Sequence, residues 1–105
     1  AIPPPGLPTD KWEAIFDLAS LTGRLAVRNF RRGDRFAPLG LNGHRKKVKD
    51  LFIDNKVPLP ARVIWPILVM GEEILWLPQY GRSEVGKITP NTREYLRVKA
   101  TIPVA

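Results

Sequence analysis

The chain contains no cysteine and one histidine, His44. Disulfide frameworks, thiolate zinc sites and cysteine nucleophiles are excluded, and at most one imidazole is available to a metal or a base. Neither a GxxxxGK(S/T) loop nor a GxGxxG loop is present, and no Ser/His/Asp set has visible support, so the sequence shows no nucleotide-hydrolysing or nucleophilic site. No apolar run approaches the roughly 18 residues of a spanning helix, and the opening AIPPPGLP lacks the segments of a secretory signal. A cytoplasmic protein without a membrane partner is expected. Acid is scarce as well: 10 Asp and Glu stand against 17 Lys and Arg, for a formal net charge of +7.

The positive charge is not spread evenly. Nine of the 17 basic residues fall between Arg28 and Lys56, against three acids, so this stretch carries nearly all of the excess while the remainder is close to neutral. Charge concentrated in this way on an otherwise ordinary folded chain is the footprint of a surface for a polyanion. The stretch also contains two turns, at Gly33 and at Asn42–Gly43, and ends in a helix, so the charges belong to a shaped surface. The backbone amides near Gly33, Gly40 and Gly43 are further candidates to receive phosphate oxygens.

The 105 residues support one compact domain. Residues 1–14 read as a proline-rich linker or arm, and residues 15–105 as the domain. The opening on Ala1 and prolines suggests a piece cut from a longer polypeptide. Lys11 to Leu18 is ambiguous between helix and strand. Leu25 to Phe30 alternates as a half-buried strand, with Leu25 and Val27 inward and Arg28 presented to solvent. Phe36, Pro38 and Leu39 are expected to fold back as apolar plugs.

From Arg45 to Lys56, Val48, Leu51, Phe52 and Asn55 recur at helical spacing, with charged residues on the other face, which predicts an amphipathic helix ended by Val57 and Pro58. Pro60 opens a short helical turn that Pro66 stops. Ile67–Met70 and Ile74–Leu77 form an apolar hairpin central to the sheet, and Leu96 to Ile102 alternates as a last half-exposed strand. The fold class is therefore α+β: a compact, mostly antiparallel β-sheet with one amphipathic helix and a short helical turn.

Asp50 and Asp54 lie four residues apart on the helix and are read as balancing nearby lysines rather than as a catalytic pair. Asp34, beside Gly33, is read as bonding its own turn, and His44 as solvent- or phosphate-facing. Trp65 and Trp76 are core candidates, whereas Tyr80, in a glycine-flanked loop, is a candidate to stack on a base or ribose.

GDRFAPLG (Gly33 to Gly40) followed by KVKDLFIDNKVP (Lys47 to Pro58) resembles the C-terminal domain of bacterial tRNA(Ile)-lysidine synthetase. In that family a Gly-Asp-Arg-Phe-x-Pro-x-Gly loop precedes a Lys-x-x-Asp-x-Phe-x-Asp-x-Lys-Val-Pro helix. The similarity continues through Phe16-Asp17, Val27-Arg28, Arg62, EILWLP, Gly81-Arg82 and ITPNTR (Ile88 to Arg93). Departures are Asn55, where the family often has Arg, and Gln79-Tyr80, where a Gly is common after the Pro.

The resemblance implies a compact α+β unit related to a domain of phenylalanyl-tRNA synthetase. It also implies the tRNA-gripping end of an ATP-dependent ligase that converts the wobble cytidine of a minor isoleucine tRNA to lysidine. The ligase's SGGxDS loop is absent from this chain, so the chain is expected to be a non-catalytic module with no cofactor of its own, ATP and Mg belonging to the parent enzyme. Its expected partners are tRNA(Ile) with a CAU anticodon, bound at the acceptor stem, and the remaining domains of the enzyme. Docking on those domains, or homodimerisation, is the alternative reading. Arg28, Arg31, Arg35, Lys47, Lys49 and Lys56 are the residues expected to contact RNA, with Arg45, Lys46 and Arg82 as second choices.

Overall fold

Apolar residues on both faces of a hairpin require cover on both sides, and the fold is built to supply it. The computed structural model describes residues 10–102, so most of the proline-rich arm lies outside the described residues. In chain order the elements are β1 (Glu13–Asp17), β2 (Leu25–Arg28), β3 (Arg35–Phe36), β4 (Lys46–Lys47), α1 (Val48–Asp54), α2 (Leu59–Ile64), β5 (Ile67–Met70), β6 (Glu73–Leu77), β7 (Gly81–Arg82) and β8 (Tyr95–Lys99). One four-stranded sheet runs β2-β5-β6-β7, while β1 pairs with β8 and β3 with β4 as separate ribbons. All of these pairs are antiparallel. The fold is the expected α+β type, with the hairpin β5–β6 at the centre of its largest sheet.

On one side of that hairpin Ile67, Val69, Ile74 and Leu77 pack with Phe36, Val48, Phe52, Val57 and Trp65. On the other, Leu68, Leu75 and Trp76 pack with Ala14 and Phe16 of β1, and with the half-buried Leu96 and Val98 of β8. A register shift at Leu68/Val69 lets β6 place consecutive residues, Leu75 and Trp76, in this second cluster. The sheet is thus a middle layer between the helices and the β1–β8 ribbon. Trp65 and Trp76 are both buried, and the Trp65 Nε1–H donates to the Pro78 carbonyl at 3.0 Å.

Helix α1 buries Val48 and Phe52 as their spacing requires. It ends with Lys56 in a left-handed conformation (φ 56°). The Lys56 amide donates to Ile53 O at 3.0 Å and the Val57 amide to Phe52 O at 2.9 Å, which satisfies the last carbonyls of the helix.

Four expectations are corrected. The helix begins at Val48 rather than Arg45, because Lys46 and Lys47 pair as a strand with Phe36 and Arg35. In β2, Leu25 packs on the core as expected, but Val27 is 67% exposed, while Arg28 is drawn inward by an acid described below. Phe36 is buried, but Leu39 is 46% exposed and plugs nothing. The division between arm and domain at 14/15 falls inside β1: Ala14 is buried, and Trp12 packs on Trp65 with ring centroids 5.3 Å apart.

Beyond β6 the chain makes a turn closed by the Tyr80 amide on Leu77 O at 3.0 Å. Pro78 is its second residue and Gln79, with φ 77°, its third. A Pro followed by a positive φ is the type II pattern, whose third position favours glycine. Gln79→Gly is therefore expected to raise stability by roughly 0.5–1 kcal/mol, measured as a higher urea midpoint. An unchanged or lower midpoint would mean that the glutamine side chain compensates for its own strain.

Candidate nucleic-acid interface

The basic surface is assembled around Asp34, the last residue of a tight turn. Gly33 (φ 88°) supplies the reversal, and the Asp34 amide donates back to Arg31 O at 3.1 Å. The Asp34 carboxylate accepts from the Arg31 amide at 2.7 Å and from both terminal nitrogens of Arg28 at 2.9 Å. Its carbonyl accepts from the Val48 amide at 3.0 Å. One residue therefore closes the turn, clamps β2 to it and fixes the first residue of α1. Asp34 bonds its own turn, as expected, but reaches considerably further.

This bidentate pair is largely shielded, with side-chain exposures of 17% for Arg28 and 10% for Asp34. Hydrogen bonding to Asp34 raises the Arg28 pKa above its ordinary value. Burial alone would push the Asp34 carboxyl up. The hydrogen bonds from Arg28 and the Arg31 amide, with the charges of both guanidinium groups, outweigh it and hold the carboxyl below the usual carboxylate range.

Beyond the turn, Arg35 of β3 stands directly opposite Lys47 of β4, and Phe36 opposite Lys46. Directly opposed residues of an antiparallel pair share a face. Phe36 is fully buried, so alternation sends Arg35 and Lys47 outward together. Arg31, Arg32, Arg35, Lys46, Lys47, Lys49 and Lys56 are all exposed. Among the described residues the ion pairs involve Arg28, Arg45, Lys87, Arg97 and Lys99 with acids, and none of those seven.

Arg31, Arg35, Lys46, Lys47, Lys49 and Lys56 of the expected set thus stand on the surface without an ion pair among the described residues. Arg45 is exposed but lies 3.5 Å from Glu73. Arg28 and Arg82 are withdrawn from the ribbon's contact set: Arg28 is held by Asp34, and Arg82 lies apart from the ribbon with one donor of each nitrogen spent on backbone carbonyls. The Arg82 guanidinium donates to Ile15 O, Ser83 O and Val85 O and sits 4.1 Å from the centroid of the Phe16 ring. Burial lowers its pKa, against a smaller opposing effect of Glu84. Arg32 was left out of the expected set, and the turn puts it in the open next to Arg31.

The loop from β3 to β4 also differs from expectation. The Gly40 amide, a candidate for phosphate, donates instead to Glu84 at 2.8 Å. That hydrogen bond is the largest cause of the lowered Glu84 pKa, with Lys87 contributing further. Nothing local in the sequence signals a contact across 44 positions. Tyr80 stacks on Trp65 with centroids 5.4 Å apart, so one of its faces is already covered. Among the described residues no group of three or more His, Asp or Glu is placed to hold a metal ion, and no helix is long and apolar enough to cross a membrane.

Residues 25–99 match the family model described as TilS substrate C-terminal domain. The tRNA(Ile)-lysidine synthase of Clostridium tetani is 40% identical over 90 residues, which is 86% of this chain and 19% of that protein. The tRNA(Ile)-lysidine synthase of Geobacter sulfurreducens is 42% identical over 91 residues, 87% of this chain and 19% of that protein. The chain therefore spans about a fifth of the length of these relatives. A solved structure described as "Crystal structure of TILS C-terminal domain" superposes with a TM-score of 0.76 at 31% identity, covering 90% of this chain and 72% of that one.

A carboxyl whose folded pKa is depressed adds stability that is complete above its unfolded pKa and is lost as pH falls through the folded value. Stability is expected to decline as pH drops below about 4, and Asp34→Asn should flatten the decline. At neutral pH the same substitution should cost about 2–3 kcal/mol, because it weakens shielded charge-assisted bonds. Urea unfolding of both proteins across pH measures this. Parallel pH profiles would remove Asp34 from its central place.

Proposed function

The chain belongs to the TilS substrate C-terminal domain family, and from that premise we propose that it is the RNA-gripping domain of a tRNA(Ile)-lysidine synthase. The observation that carries this reading is the ribbon of β3 and β4. Like charges directly opposite one another destabilise an antiparallel pair, yet Arg35 and Lys47 occupy such a pair with no carboxylate in ion-pair reach among the described residues. A folding domain gains nothing from this arrangement, whereas a polyanion converts the repulsion into binding energy by releasing its counterions.

The ligand in this reading is the acceptor stem of tRNA(Ile) with a CAU anticodon. The major groove of an A-form helix is deep and narrow and its minor groove shallow, so a small rigid surface holds it through phosphates, 2′-hydroxyls and shape. Arg31, Arg35, Lys46, Lys47, Lys49 and Lys56 are assigned to the phosphates, with Arg32 at the turn tip. Adenylation of the wobble cytidine and transfer of lysine, with their ATP and Mg, are assigned to the remaining domains of a cytoplasmic enzyme.

A second reading, docking on those domains or on a second copy, has one observation in its favour. Leu59 and Val63 of α2 are 68% and 64% exposed and lie four residues apart, so they share a helix face. Self-association that is insensitive to salt and lost in Leu59→Ser/Val63→Ser, measured by sedimentation, would support it.

For the RNA reading, Arg35→Ala and Lys47→Ala are each expected to weaken tRNA binding several-fold and to reduce the salt slope by about one unit. Melting temperature should be unchanged or slightly raised, because each substitution relieves the like-charge pair. Affinity and salt slope that survive both substitutions would retire the ribbon as the RNA contact.

A further inference from the structure

Beside the basic ribbon lies a cavity of about 590 Å³ between β1, β6 and β7. A volume of this size suits a small molecule or one nucleotide, and is far too small for a helix. Its lining includes buried Ile15 and Trp76, together with Tyr80 and Leu39. These supply apolar and aromatic surface.

Its charges are divided unequally. The lining acids are engaged: Glu13 pairs with Arg97 at 2.9 Å, and Asp10 accepts from the Trp12 amide at 2.9 Å. Of the lining cations, Lys87 pairs with Glu84 at 3.5 Å, whereas Lys11 and Arg82 have no carboxylate in ion-pair reach among the described residues. Arg82 spends one hydrogen bond from each of its three nitrogens on backbone carbonyls, which leaves an N–H on each terminal nitrogen uncommitted. A half-buried guanidinium with spare donors, whose acidic neighbour Glu84 is already held by the Gly40 amide and Lys87, beside an aromatic wall, fits a ligand that joins a flat ring to an anion.

The cavity is continuous with the proposed RNA grip. The Leu39 amide donates to Arg82 O at 2.7 Å, and Pro38 bridges to Ser83. The loop that puts Leu39 on the cavity lining therefore runs on into β4 and its two lysines. We propose that this cavity receives one unpaired nucleotide at a strand end of the RNA held on the ribbon, with its base against Tyr80 and Leu39 and its phosphate toward Arg82 and Lys11. The assignment rests on the RNA-gripping reading above. Only an unpaired nucleotide can enter, since the bases of a duplex are stacked and enclosed.

The test compares hairpin RNAs that are blunt or carry a short 5′ or 3′ single-stranded overhang, by fluorescence anisotropy with the full 105-residue chain. One overhang is expected to raise affinity about tenfold over the blunt hairpin, the scale of stacking one base on an aromatic side chain. Tyr80→Ala removes packing against Trp65, so exposed Lys11 and Leu39 carry the comparison. Lys11→Ala and Leu39→Ala should erase most of the overhang increment and leave blunt binding unchanged, whereas Lys47→Ala should weaken all three RNAs equally.

Equal affinities for the three hairpins, or an increment that survives both cavity substitutions, would overturn the cavity assignment and leave the ribbon reading standing. Absence of binding to any hairpin would overturn both. Adenosine monophosphate that quenches tryptophan fluorescence at micromolar concentration, with no overhang increment, would assign the cavity to a free nucleotide instead.

Discussion

A shielded carboxylate holding an arginine from the neighbouring strand organises the basic half of this domain. Asp34 receives both terminal nitrogens of Arg28 and the Arg31 amide, while its carbonyl receives the first amide of α1. Three segments, β2, the turn and α1, meet on one residue. The strands it connects are too short to hold a geometry alone, since β3 and β4 have two residues each. An isolated ribbon of that length is not stable in water. Its rigidity is borrowed from the Asp34 clamp at one end and from buried Phe36 beneath it.

This arrangement divides the cations of the chain into two populations. Arg28 and Arg82 are turned inward, Arg28 onto a carboxylate and Arg82 onto backbone carbonyls and the face of Phe16. The exposed set on the turn, ribbon and helix forms no ion pair among the described residues. Glu84 and Glu73 reach the connecting loop but engage Gly40 and Arg45, so they tether the loop's backbone and one arginine while the ribbon stays positive. Burial decides membership. A guanidinium can donate to several carbonyls at once and still pack on a ring, which suits it to the inward role, and the lysines of this surface remain outside.

Much of the fold was legible in the sequence because periodicity reports burial directly. The apolar hairpin, the last alternating strand and the buried face of α1 are each set by side chains that have one place to go. What escaped was governed by contacts distant in sequence. The pattern of β2 placed Val27 inward and Arg28 outward, and the reverse holds because Asp34 pulls Arg28 under while no layer covers that face of the edge strand. Lys46 and Lys47 read as the start of a helix because their strand partners, Phe36 and Arg35, are separated from them by a loop whose closure no local pattern encodes. The Asp34 turn was readable from Gly33-Asp34 alone, but its grip on Arg28 was not, and so Arg28 stood among the exposed cations. The inward turn of Arg82 escaped for the same reason, its acceptors lying on β1 and on the loop after β7. Within the candidate site, position along the chain was legible and orientation was not.

The family membership and the physics meet in the type of recognition such a surface can perform. A flexible basic tail would neutralise phosphates equally well, but it would lose conformational entropy on binding and could follow any backbone. Here the charges are mounted on a turn, a ribbon and a helix whose relative positions are set by Asp34, by the amide of Val48 and by the buried Phe36 and Phe52. Ordering has already been accomplished by the core. The self-repulsion of Arg35 and Lys47 is likewise borne in the folded state, so a phosphate backbone of matching curvature gains both the attraction and the relief. Under the proposed RNA reading, a backbone of different curvature would gain only part of either, and discrimination by shape would follow without any base being read.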